Sequence, residues 1–156
     1  MPPLPGAKEF LTEAAARGVT VFYVTNRVDT LHDDTVLNLK NAGLPLAEGR
    51  DTVLCYSKSP DKGPRRAAVC KDFRVLLQIG DAGGDFVSSM AARTPPERRA
   101  VAAEFSAWWG ERWIVLPNPG TGDWLRAIWG WKEVERWEQD LAERDALRRS
   151  LPARTE

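Results

Sequence analysis

The sequence predicts an α/β domain built around a parallel sheet, and three observations carry that prediction. Stretches of helical spacing alternate with short apolar runs along the chain. The runs are close to unbroken, without the in-out alternation of a half-exposed strand, and this is the pattern of strands covered on both faces. At 156 residues, 43% hydrophobic and 28% charged, the chain can bury one substantial core and is too apolar for a disordered polymer.

The elements follow in order. Ala7, Phe10, Leu11, Ala14 and Ala15 share helical spacing, and Gly18 is placed to close that helix in a left-handed conformation. Val19 to Val24 is β-branched and aromatic, which predicts a buried parallel strand. Asp34 is positioned to cap a second helix through Val36, Leu37 and Leu39, ended by Gly43 with Pro45 just beyond. Thr52 to Cys55 is a short strand, Arg65 to Asp72 a third helix, and Arg74 to Ile79 a central strand. Thr94-Pro-Pro-Glu97 is a capping box with proline in the first turn, opening a helix over Glu97 to Trp109 that stops at Gly110. Trp113 to Leu116 is the last strand, and the alternation implies right-handed crossovers and helices on both faces of the sheet. Val134, Trp137 and Leu141 then mark a charged amphipathic helix running toward Leu151, its aromatic side chains packed on the domain. The organisation is one core over residues 1–130, with a charged helical segment over 131–156 that packs on it or is partly free.

Composition removes several functions. Twenty-two basic residues balance twenty-two acidic ones, so no net field draws nucleic acid or an anionic membrane to the chain. No apolar run approaches the ~20 residues of a membrane span, and the first residues lack the basic and apolar regions of a secretory signal. His32 is the sole histidine, and Cys55 and Cys70 have no metal-ligand spacing, which argues against a zinc site or a Ser-His-Asp triad. The two cysteines read as buried thiols, with a single disulfide as the alternative.

In open parallel sheets, ligands bind beyond the carboxyl ends of the strands. Three segments there carry chemistry. Thr25-Asn26-Arg27 closes the first apolar run and offers a hydroxyl and backbone N–H groups to a phosphate; the plain alternative is a turn former. Gly80-Asp81-Ala82-Gly83-Gly84-Asp85 closes the Arg74 to Ile79 run and brings two carboxylates into a glycine-rich turn that suits Mg2+; the alternative is a solvated turn. Lys62, in the polar loop from Ser57 to Pro64, could neutralise charge on a transferring phosphoryl group, with a solvated side chain as the alternative and Lys58 as a competitor.

Strand-Thr, then loop Lys, then strand-Gly-Asp-x-x-x-Asp is the order of motifs two, three and four in the haloacid-dehalogenase (HAD) phosphohydrolases. The segments Pro5 to Leu11, Val21 to Arg27, Asn38 to Lys40 with Gly43 to Pro45, Gly80-Asp81 with Gly84 to Phe86, and Trp113 to Pro119 with Gly122 to Trp124 resemble the class C bacterial acid phosphatases. That family includes outer-membrane lipoprotein nucleotidases, and the resemblance runs from about Pro5 to Trp124. It implies a Rossmann-like HAD core and an Mg2+-dependent phosphomonoesterase acting on small phosphate esters, nucleoside monophosphates among them. Carried over, Thr25 binds the phosphoryl oxygens with Asn26 and Arg27 in support, Lys62 screens the nucleophile, and Asp81 with Asp85 organises Mg2+. Asn118 and Trp124 would shape the edge of the site. Ala82 stands where the family usually has asparagine, Thr121 where an aromatic is common, and Leu125 where an acidic residue is usual.

The resemblance also implies a motif this sequence lacks. HAD phosphatases attack phosphorus with the first aspartate of an Asp-x-Asp pair on the first core strand, and the second acts as acid and base. No Asp-x-Asp occurs in the chain, and the adjacent Asp33 and Asp34 read as helix-start residues. The expectation is therefore a core without its first catalytic strand, with Met1 internal to a longer protein whose intact relatives are exported. The alternative is a non-catalytic HAD-like remnant that binds a ligand or partner. A dinucleotide-binding fold lacks its G-x-G-x-x-G, and a phosphate receiver lacks its acidic cluster.

Overall fold

A computed structural model describes residues 2–56, 58–90, 93–118, 120 and 122–150. Ser57, Pro119, Thr121 and Leu151, all used in the sequence assignments, lie outside these. The chain divides into two compact units, residues 1–69 and 70–156.

The first unit opens with helix α1 (Ala7–Ala16), and Gly18 closes it at φ +82°, as its sequence position predicts. Strand β1 spans Tyr23–Val28 instead of Val19 to Val24. The ladder starts where the Tyr23 N–H donates to the Thr52 carbonyl at 2.8 Å. There too the Tyr23 hydroxyl donates to the Pro45 carbonyl at 2.8 Å, and burial of the ring pushes its pKa up to about 12. A short 3-10 turn (Asp29–Leu31) leads into α2 (His32–Asn41), so Asp34 lies inside the first turn and is not the cap. Strand β2 (Val53–Tyr56) pairs parallel with β1, and the core gathers at Val53, Thr52 and Thr35. Helix α3 (Gly63–Asp72) follows, its last three residues belonging to the second unit.

In the second unit, β3 covers only Gln78–Gly80, and Val75 and Leu76 before it are exposed, Leu76 at 51%. Pairing sets that length. The Gln78 N–H donates to the Arg112 carbonyl, and β4 (Trp113–Val115) offers three positions in parallel register, Gln78↔Trp113 to Gly80↔Val115. The one-turn α4 (Gly83–Phe86) comes next, then a 3-10 turn (Ser88–Met90) and α5 (Pro95–Glu104). Glu97 accepts from the Thr94 N–H and hydroxyl at 2.8 and 2.7 Å, the predicted capping residues.

Helix α5 ends five residues short of Trp109 because Phe105, Trp108 and Trp109 turn away to wrap Trp113, each with its ring centroid 5.0 Å from that indole. Trp113, 6% exposed, is the centre of this core, with Phe86 on another side at 5.6 Å. The short α6 (Asp123–Ile128) buries Leu125 and Ala127, and α7 (Arg136–Ser150) packs beside it through the Trp129 indole donating to Glu143 at 3.2 Å.

Three expectations are corrected. Each unit holds one parallel pair among the described residues, and apolar strand residues such as Ile79 and Val115 are exposed, not covered on both faces. Trp137 and Leu141 face away from the packed side of α7, where Gln139, Ala142 and Glu143 are half-buried; Trp137 is 63% exposed. Cys55 is half-buried and Cys70 exposed, both as free thiols, which replaces the reading of two buried ones. No helix among the described residues is long and apolar enough to cross a membrane.

Candidate functional site

The predicted site residues form two groups, one in each unit. In the first unit, Thr25, Asn26 and Arg27 lie inside β1 and not beyond its end. Val24 pairs with Leu54 and Val28 with Tyr56, so four steps on β1 oppose two on β2 and the strand bulges at these three residues. A bulge re-aims side chains that a regular strand would alternate between faces. The Thr25 hydroxyl oxygen accepts from the Arg27 N–H at 3.2 Å, which steadies the bulge.

Lys62 sits at the start of α3, half-buried, whereas Lys58 is exposed. Its loop is ordered by its own side chains. The Ser59 hydroxyl accepts from the Asp61 N–H, and Asp61 accepts from the Gly63 N–H at 2.8 Å. Arg65, one turn into α3, reaches back to this loop and to both strands. Sequence reading placed it only as the first residue of a helix.

In the second unit, Asp81 follows β3 directly and is exposed. Its Oδ2 accepts from the Asn118 amide at 2.6 Å, and the Trp124 indole donates to the Asn118 carbonyl at 3.0 Å. Trp124 thus holds Asn118, and Asn118 holds Asp81. Asp85 is turned back on its own loop, where its Oδ2 accepts from the Asp81 and Ala82 N–H groups, both at 3.0 Å. This does half the work of a capping box for α4, at a start where Ala82 has no side-chain oxygen to offer. Gly80 permits it. A Cβ there would lie 2.6 Å from both Cβ and Oδ2 of Asp85. Gly84 likewise leaves room for the Asp123 carboxylate, which a Cβ would meet at 3.1 Å.

The donor set fits Mg2+ in a limited way. No cluster of three or more His, Cys, Asp or Glu side chains that could hold a metal exists among the described residues. Mg2+ does not need one, because it takes one or two carboxylates and fills its shell with water and substrate oxygens. Asp81, exposed at a strand end and oriented by an amide donor, meets that requirement.

A family model for the HAD superfamily, subfamily IIIB (acid phosphatase), matches residues 1–124. The chain belongs to that subfamily. Two solved structures agree: the class C acid phosphatase from Bacillus anthracis, and the same enzyme with tungstate bound. Each is 28% identical to this chain at a TM-score of 0.83, with 97% of this chain and 62% of the Bacillus anthracis chain covered. The chain therefore spans less than two thirds of the length of these relatives, and it shares with them a HAD-like fold of helices and parallel strands. Leu125 is buried in α6 at 9% exposure, where a carboxylate would lose its hydration.

Proposed function

We propose that this chain is the phosphate- and magnesium-holding part of an acid phosphatase acting on small phosphate monoesters, nucleoside monophosphates among them. The observation that carries the reading is Asp81, set directly after β3, with its Oδ2 fixed by Asn118 in a loop that Asp85 organises. Asp81 would be the direct Mg2+ ligand, and Asp85 would set the turn that presents it and add a second negative charge. Bound there, Mg2+ would supply Lewis-acid polarisation of a phosphoryl oxygen. The Thr25 hydroxyl, with Asn26 and Arg27 beside it in the bulge, would hold phosphoryl oxygens, and Lys62 would offset their charge. Tungstate, bound in the Bacillus anthracis relative, is a tetrahedral oxyanion like phosphate and supports an oxyanion ligand here.

Hydrolysis through an aspartyl-phosphate needs the Asp-x-Asp pair, which these 156 residues do not contain. In this reading the pair comes from polypeptide outside them, in a protein that is exported. The same absence favours a second reading, a binding module without turnover. Calorimetry with tungstate, with and without Mg2+, and an aryl phosphate assay separate the cases. The expected result is Mg2+-enhanced tungstate binding, weakened roughly 10–100-fold in Asp81→Asn, with no turnover by the 156 residues alone. Turnover restored by a longer polypeptide carrying an Asp-x-Asp establishes the phosphatase, and failure to restore it favours the binding module. A chain that ignores tungstate under all conditions overturns both.

A further inference from the structure

We infer that Arg65 is a positioning residue that sets the Thr25 bulge and the Lys62 loop against each other. Its guanidinium touches three segments of the first unit at once. Nη1 donates to the Thr25 carbonyl at 2.5 Å and reaches the Leu54 carbonyl at 3.5 Å; Nη2 donates to the Asn26 side-chain oxygen at 2.7 Å and to the Pro60 and Asp61 carbonyls, each at 3.2 Å. The bulge in β1, the neighbouring β2 and the loop before α3 therefore share one cation.

These contacts are what a bulge requires. Its backbone oxygens have left the regular ladder and need donors, and a planar fork with several N–H groups in fixed directions can serve two neighbouring carbonyls and a side chain together. A lysine ammonium is a point donor and cannot span them. Every acceptor is a neutral oxygen, so these bonds do not cancel the positive charge, which stays beside Thr25 and Lys62. Arg65 does not need to touch substrate. Its effect passes through the direction in which Thr25 and Asn26 point and the place where the loop puts Lys62.

The inference rests on the phosphatase reading only in naming an oxyanion as what the cluster holds, and the test keeps the two apart. Tungstate affinity is measured on the full chain for wild type, Arg65→Ala and Arg65→Lys, with and without sub-denaturing guanidinium. Amide hydrogen exchange is followed in parallel at Thr25 to Arg27 and at Lys58 to Lys62. Arg65→Ala should weaken tungstate binding roughly 10–100-fold, the range for removal of a residue that orients a ligating one. Free guanidinium should restore it, lysine should not, and exchange should rise in both segments together. Affinity and exchange unchanged in Arg65→Ala, or full function in Arg65→Lys, would overturn the inference while leaving the phosphate reading intact. If wild type binds no tungstate, the phosphate reading falls and exchange decides alone: a joint rise in the two segments keeps Arg65 as their shared tie, and a rise in neither removes it.

Discussion

At the scale of single residues, the sole histidine has the best-defined electrostatics. Nδ1 of His32 faces Oδ1 of Asp33 at 3.1 Å, and Nε2 faces the Asp51 carboxylate at 3.0 Å. Carboxylates only accept, so a ring donating to both carries both protons. The hydrogen bonds to Asp33 and then Asp51 raise its pKa above the ordinary 6.5. Asp51 also accepts from the Val53 N–H at 2.9 Å, so the charged ring ties the start of α2 to the start of β2. With the folded pKa raised, this stabilisation is complete below the unfolded value and disappears as pH rises through the folded one. Thermal melts of wild type and His32→Gln across pH should therefore diverge in mild acid and converge in alkali; a constant gap would refute the coupling. The sequence marked His32 only as a lone histidine, because Asp51 is nineteen residues away and nothing local announces the pair. Asp81 was legible for the opposite reason: a carboxylate after Gly80 at the end of an apolar run is a local pattern. The inward turn of Asp85 was not, since it depends on the missing Cβ of Gly80 and the unfilled cap at Ala82.

At the scale of elements, the stops of α1 and α2 and the cap of α5 were readable because glycine, proline and capping side chains act within one turn, whereas the stop of α5 was not, since the cluster around Trp113 decides it. Strand limits were not, since hydrogen-bonded neighbours decide them. The apolar run from Val19 exceeds the part of it that finds a partner in β2, and Arg74 to Leu77 lie outside the three positions β4 offers. Helix α7 shows the same limit from another side. Its apolar spacing predicts an inward Trp137 and Leu141, yet the helix meets α6 through a face that includes Ala142 and Glu143. Trp137→Gln should then change stability by no more than about 0.5 kcal/mol, as exposed substitutions do. Ala142→Gln, on the packed face, should destabilise by more, and denaturant titration distinguishes them. Equal losses would place Trp137 against the protein.

At the scale of the whole molecule, fold class was legible because it depends on the succession of elements, and family membership because several motifs recur in order. The division into two units was not, since no linker composition marks residue 69. The units also differ in what they bury. The first gathers its core around Val53 and two threonines, whereas the second encloses Phe86, Met90, Val101, Trp113 and Leu125. Less apolar burial means a smaller driving force, so the first unit should open first. The aromatic arrangement described above makes this visible without labels. All seven tryptophans, from Trp108 to Trp137, lie in the second unit, and both tyrosines, Tyr23 and Tyr56, lie in the first. Indole emission thus reports one half of the polypeptide and phenol absorbance the other. In urea, the phenol signal should move at a lower midpoint than the indole signal, and coincident transitions would instead show a single cooperative block. The chain carries its own two-colour optical readout.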